Sequence, residues 1–84
     1  MLNLEELEQL VAFKELGTLS KVAEQFLIST PSLSRSMQHL EEDFGVTLFD
    51  RSANRISLNE TGERAVQVAR RILETSQQGI KEVR

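Results

Sequence analysis

The stretch LSKVAEQFLISTPSLSRSMQ, residues 19–38, decides the fold predicted for this chain. Its apolar residues recur at the three- and four-residue steps of two short helices, which would bury Val22, Ala23, Phe26, Leu33 and Met37. Two helices that cross at a steep angle need a small residue where they touch, and Ala23 is placed for that contact. Ile28 supplies an apolar side chain in the tight turn between them. These intervals predict a helix-turn-helix over residues 19–38.

Capping residues set the expected boundaries of these helices. Thr18 and Ser20 can each cap the second helix of the chain, and Ser29 can cap the third. Pro31 falls in the first turn of the third helix, where a missing N–H costs no intrahelical hydrogen bond. Gly45 is placed to end that helix.

The flanking sequence predicts a helix before this motif and a small β-hairpin after it. Apolar residues at helical spacing indicate a first helix over about residues 4–16. Two short apolar runs, residues 46–49 and 56–58, surround a polar loop, which is typical of a hairpin. We expect its loop to project from the helices as a wing.

A long final helix is predicted over residues 60–84, with Asn59 as its N-cap. A helix of this length cannot bury its apolar stripe against so small a domain, and an exposed stripe is unfavourable. We therefore expect a second copy of the chain to cover Val66, Ala69, Ile72, Leu73, Ile80 and Val83. For residues 65–69 alone, packing on the chain's own domain is the alternative, so the C-terminal half of the helix is the main predicted contact. The predicted fold is mainly α: a three-helix core with a hairpin wing over residues 1–59, followed by a linker and dimerisation helix over 60–84.

The outward face of the third helix carries the functional prediction. If Leu33, Met37 and Leu40 are buried, the exposed positions are all hydrogen-bonding and none is acidic: Thr30, Ser32, Ser34, Arg35, Gln38 and His39. Such a face fits phosphates and base edges, and a recognition helix enters the major groove with its N-terminal residues at the bases. The net charge of −3 argues against DNA, but residues 25–40 hold no acid at all.

Composition excludes several other functions. Without Cys and with one His, we expect no nucleophile–base pair, no histidine-based metal cluster and no cofactor, so the chain is not predicted to be an enzyme. No apolar run approaches the roughly 20 residues of a membrane span, and the acidic N-terminus is unlike a signal peptide. We therefore expect a cytoplasmic protein with no membrane partner.

A longer run of residues resembles the N-terminal domain of LysR-type transcriptional regulators. It comprises Val22, Ala23, Phe26, residues 28–35, Met37, Leu40, Glu41, Phe44, Gly45, Leu48, Phe49 and Arg51, and continues with Leu58, Asn59 and Gly62. The resemblance implies a bacterial regulator that binds double-stranded operator DNA as a homodimer, with a tetramer as a further option in a full-length form. Because the family's effector-binding domain is absent here, we expect a fragment or a truncated regulator. A small-molecule effector would act only through that missing domain.

The resemblance and the exposed face together give a predicted set of DNA contacts. It comprises Thr18, Ser20, Lys21, Ser29, Thr30, Pro31, Ser32, Ser34, Arg35, Gln38, Arg51, Asn54 and Arg55. Thr30 stands where the family usually has Gln, a side chain that commonly reaches base edges, so the preferred operator sequence can differ from that of relatives. The alternative for Arg35 is a surface arginine paired with a nearby acid such as Glu41 or Glu42. Arg51 has a structural role at the wing base as its alternative, and Asn54 and Arg55 could equally belong to a solvated loop. A winged-helix module that binds protein is the alternative function.

Overall fold

Four helices and one antiparallel hairpin make up the part of the chain that the computed structural model describes, residues 1–52 and 55–84. The elements are α1 (Leu4–Leu16), α2 (Leu19–Phe26), α3 (Thr30–Phe44), β1 (Phe49–Ser52), β2 (Arg55–Leu58) and α4 (Glu60–Val83). This order confirms the predicted winged helix-turn-helix with a long final helix. None of these helices is both long and apolar enough to cross a membrane.

Each helix begins at a side chain that accepts a hydrogen bond from a backbone N–H in the first turn. The accepting residues are Asn3, Thr18, Ser29 and Asn59. Ser20, which was an alternative cap for α2, instead lies within the first turn of that helix. Gly17 and Gly45 end α1 and α3 with positive φ angles of 87° and 74°, conformations that glycine adopts without a steric penalty.

The core is formed where α1 meets the other three helices. Leu7, Leu10 and Phe13 of α1 are buried, together with the predicted apolar positions of α2 and α3: Val22, Ala23, Leu33, Met37 and Leu40. The first half of α4 completes the core with Ala65, Val66 and Ala69. Phe13 and Phe49 pack edge to face with ring centroids 5.5 Å apart, which ties the hairpin to α1.

The first strand of the hairpin is shifted along the chain from its predicted position, whereas the second strand includes the predicted residues 56–58. β1 pairs with β2 from Phe49 opposite Leu58 to Ser52 opposite Arg55, so the prediction of a first strand over residues 46–49 was wrong. Leu48 is fully buried, but it lies in an irregular segment whose backbone bonds to α3 and to the start of α4. The apolar character of residues 46–49 therefore reflects burial and does not indicate strand pairing. The wing residues Ala53 and Asn54 lie outside the described part of the chain.

The start of α4 lies against the segment before β1, with Gly62 close to the backbone of Leu48. The backbone N–H of Asn59 donates to the carbonyl oxygen of Leu48 over 3.0 Å, and the Asn59 amide donates to Thr47 over 3.1 Å. A Cβ on Gly62 would collide with that same Leu48 carbonyl oxygen. Glycine is therefore required at this position because the two backbones touch there.

Candidate nucleic-acid interface

The N-terminal half of α3 presents polar side chains on one side and buries apolar ones on the other. Thr30, Pro31, Arg35 and Gln38 are exposed, and Ser32 and Ser34 are half-buried. Leu33 and Met37, which alternate with them, are 0% and 1% exposed. The predicted contact residues of this helix therefore lie together on one accessible face.

A hydrogen-bonded chain of side chains holds Arg35 on that face. Ser29 Oγ accepts from the backbone N–H of Ser32 and donates to Ser32 Oγ over 2.9 Å. Arg35 Nη2 in turn donates to Ser32 Oγ over 3.2 Å. Ser29 and Ser32 thus orient the guanidinium of Arg35. This positioning role is separate from any contact that the two serines make with DNA themselves. Most of the N–H donors of Arg35 stay available to a ligand.

Arg35 has no acidic partner within ion-pairing distance among residues 1–52 and 55–84. Glu41, on the same helix, instead pairs with Arg51 at 4.0 Å and accepts a 2.8 Å hydrogen bond from the backbone N–H of Leu48. Glu42 forms no ion pair within this same part of the chain. The alternative in which Arg35 is a surface arginine neutralised by Glu41 or Glu42 therefore does not describe this structure.

Of the wing residues predicted to contact DNA, Arg51 forms an ion pair and Arg55 is exposed. Arg51 pairs with Glu41, so it supports the base of the hairpin, although half of its side chain stays exposed. Arg55 is exposed at the start of β2. Asn54, the third wing residue predicted to contact DNA, lies outside the described residues.

The beginning of α2 supplies a second group of polar side chains. Thr18 caps the helix by accepting from the backbone N–H of Lys21 over 3.2 Å. Ser20 and Lys21 follow in the first turn with exposed side chains. Their contact with phosphates stays a prediction, as do the DNA contacts of the other residues in the set.

His39, near the middle of α3, is paired with a carboxylate of α1. Its Nδ1 lies 3.1 Å from Glu6 Oε2 of α1, and this hydrogen-bonded carboxylate raises the pKa of His39 above its usual 6.5. The α1 acids Glu15 and Glu6 therefore have basic partners, Arg70 and His39 respectively. The acidic character of the chain lies largely outside the polar face of α3.

Two residues of the predicted dimer face of α4 are buried within a single chain. Val66 and Ala69 are 2% and 0% exposed within a single chain, because they pack against α1. This burial favours the alternative in which these two residues pack on their own domain, and the dimer contact of α4 stays a prediction. Ile72 and Leu73 are half-buried, and Ile80 and Val83 are 51% and 90% exposed.

Comparison with known proteins agrees with this architecture. Residues 4–63 match the family model described as bacterial regulatory helix-turn-helix protein, lysR family. The chain belongs to the LysR family. Among LysR-family relatives, the regulator TcbR of Pseudomonas sp. strain P51 is 39% identical over 69 residues, which cover 82% of this chain and 24% of TcbR. CrgA of Neisseria meningitidis serogroup B, strain ATCC BAA-335 / MC58, is 39% identical over 72 residues, which cover 86% of this chain and 24% of CrgA.

Solved structures of the family place the similarity in DNA-binding domains. The DNA-binding domain of CbnR, crystallised with DNA, superposes with a TM-score of 0.89 at 33% identity, covering 98% of this chain and 94% of that one. The BenM DNA-binding domain bound to catB site 1 DNA gives a TM-score of 0.85 at 30% identity, covering 95% and 86% respectively. The chain spans about a quarter of the length of the curated relatives it matches.

Proposed function

We propose that this chain binds specific double-stranded DNA as the dimeric DNA-binding domain of a LysR-family transcriptional regulator. The observation that carries the proposal is the exposed, acid-free N-terminal half of α3, on which Arg35 is oriented by Ser32 without an acidic partner in the described structure. A helix presented in this way enters the major groove with its first turns at the base edges.

Arg35 is the residue proposed to read a base. An arginine fork donates to the O6 and N7 atoms of guanine, and one bidentate pair discriminates against a wrong base by about 1–3 kcal/mol. Ser34 and Gln38 are proposed to offer further hydrogen-bonding groups to the DNA. Thr30 lies in the first turn of α3, with Pro31 next to it. Thr30 is shorter than the Gln of relatives, so we propose that it reads a neighbouring base pair differently.

Other predicted residues are proposed to position the domain on the phosphate backbone. Lys21 and the hydroxyls of Thr18 and Ser20 lie at the start of α2, and Arg55 lies on the wing. Such contacts fix the register of a protein on DNA and carry no sequence information directly. Arg51 contributes by bracing the wing through Glu41.

The second half of α4 is proposed to form the dimer interface, so that two α3 helices reach two half-sites. Ile80 and Val83 are large apolar side chains left exposed in a single chain, and Ile72 is half-buried on the same helix. A second copy would remove this surface from water at about 25 cal/mol per Å² of apolar area. Any response to a small-molecule effector would belong to parts of the regulator beyond this domain.

Selection of bound sites from random DNA, followed by footprinting, tests the proposal. We expect a partly palindromic site whose affinity falls with salt, log K decreasing by about 0.9 per phosphate neutralised as log salt rises. The protein-interaction alternative predicts no enriched sequence and an affinity for DNA that is negligible at moderate salt.

A further inference from the structure

Three metal-ligating side chains from two helices converge where α1 packs beside α3. His39 and Asp43 are four residues apart on α3 and therefore share a face, and Glu6 approaches them from the first turns of α1. One ligand atom from each side chain lies within 4.8 Å of the other two. Glu6 Oε2 is already 3.1 Å from His39 Nδ1.

Glu6 also has an oxygen whose hydrogen-bonding capacity is unmet in the described part of the chain. Its side chain is 14% exposed, and Oε1 is buried without a hydrogen-bond partner among those residues. A buried carboxylate oxygen without a donor or cation is costly. The ion pair with His39 engages only the other oxygen, Oε2, so the Glu6 carboxylate is not saturated by protein partners in the described residues.

Asp43 is likewise incompletely engaged. Its one ion pair among residues 1–52 and 55–84 is with the N-terminal ammonium of Met1, which lies 3.8 Å from Asp43 Oδ1, beyond hydrogen-bond distance. The Met1 side chain is fully exposed, so this contact does not fix the carboxylate. Asp43 can therefore turn toward His39 and Glu6 without losing a hydrogen bond.

We infer that Glu6, His39 and Asp43 form a binding site for one divalent first-row transition cation of the Zn²⁺ type. Zinc–nitrogen and zinc–oxygen bonds of about 2.0–2.2 Å at tetrahedral angles separate neighbouring ligand atoms by roughly 3.4 Å, close to the present Glu6–His39 separation. Imidazole is a ligand for zinc, nickel and copper, whereas Mg²⁺ and Ca²⁺ prefer oxygen ligands alone. Three protein ligands leave a further position for water.

The cation would connect α1 to the helix that carries Arg35. Arg35 and His39 are four residues apart on α3, and both line one surface cavity of about 400 Å³ that also includes Glu6. Sequence reasoning expected no metal because the chain has one histidine. Two carboxylates that the fold brings to that histidine complete the ligand set, and metal binding here does not depend on the proposed DNA function.

Calorimetric titration of ZnCl₂ into the tag-free chain at about pH 8 tests the inference, since a metal-binding imidazole must be neutral and alkaline pH favours that form. We expect one Zn²⁺ per chain with a micromolar Kd. His39→Gln, Glu6→Gln and Asp43→Asn should each weaken binding at least about tenfold, because even outer-shell partners of a metal contribute that much. Glu8→Gln, which removes the same charge from an exposed position on α1, is the matched control and should bind as the wild type does.

The single histidine gives a second readout. Zn²⁺ should shift the only imidazole signals in the proton NMR spectrum of the chain, and Mg²⁺ at the same concentration should leave them unmoved. His39 is 61% exposed, so His39→Gln should keep the wild-type circular dichroism spectrum. Equal Zn²⁺ affinity in the wild type and His39→Gln, or no imidazole shift at millimolar Zn²⁺, would overturn the site and leave a simple ion pair between two helices.

Discussion

Leu27 holds a strained backbone conformation, so we expect a substitution at this position to stabilise the chain. It caps α2 with φ 56° and ψ 43°, in the left-handed region, and its N–H donates to the carbonyl oxygens of Ala23 and Glu24. This conformation costs an ordinary L-residue about 1–2 kcal/mol, whereas Gly and Asn adopt it routinely. The Leu27 side chain is 91% exposed, so little burial offsets that cost.

Leu27→Asn should raise the free energy of unfolding by about 1 kcal/mol. Relief of the left-handed strain contributes most of the gain. The lost burial, about a tenth of the roughly 1.5–3 kcal/mol for a fully buried leucine, subtracts about 0.2 kcal/mol. For a domain of this size the melting temperature should rise by roughly 4–8 °C. Leu27→Gly should gain about half as much, because glycine loses more backbone entropy on folding.

Thermal and urea unfolding followed by circular dichroism measure this effect. All variants must be compared at one chain concentration, since dimerisation makes the melting temperature concentration-dependent. Gln25→Gly is the control: this exposed residue lies inside α2 in a right-handed conformation, so glycine there should cost about 1 kcal/mol. If Leu27→Gly destabilises the chain as much as Gln25→Gly does, the strain argument is wrong.

Three further tests concern the packing of the wing and of α4. Gly62→Ala should cost about 2 kcal/mol or more because its Cβ meets a backbone carbonyl, whereas Gly79→Ala, with open space around it, should gain about 1 kcal/mol in urea unfolding. Glu41→Gln should cost about 1 kcal/mol by weakening a charge-assisted hydrogen bond, and an equal loss in Glu42→Gln would refute that assignment. Ile80→Glu should sediment as a monomer, and an unchanged dimer would place the interface elsewhere.

Features encoded by neighbouring residues could be predicted from the sequence. The N-caps Thr18 and Ser29 act on N–H groups three residues away, and the stripe of Leu33, Met37 and Leu40 follows helical spacing, so the α2–α3 motif was predicted closely. The resemblance to the LysR family rested on these same residues, and the family match confirms it.

Features that depend on distant residues were missed or misplaced. Leu48 has the apolar character of a strand residue, yet its burial arises from contact with α3 and Gly62, which the local pattern does not encode. Val66 and Ala69 continue the apolar stripe of α4, so the sequence left open whether the chain's own domain or a second copy covers them, and their burial here depends on distant residues. The approach of Glu6 to His39, 33 residues away, follows only from helix packing.

The central claim, that α3 reads DNA through Arg35, is tested most directly by the ratio of specific to non-specific DNA affinity in Arg35→Ala. At about 150 mM salt, fluorescence anisotropy on the selected site should show a loss of about 5- to 150-fold, corresponding to 1–3 kcal/mol. Affinity for unrelated DNA should change far less, and Arg84→Ala, which removes the same charge at the far end of α4, should retain the wild-type ratio. Wild-type specificity in a correctly folded Arg35→Ala chain would contradict the account.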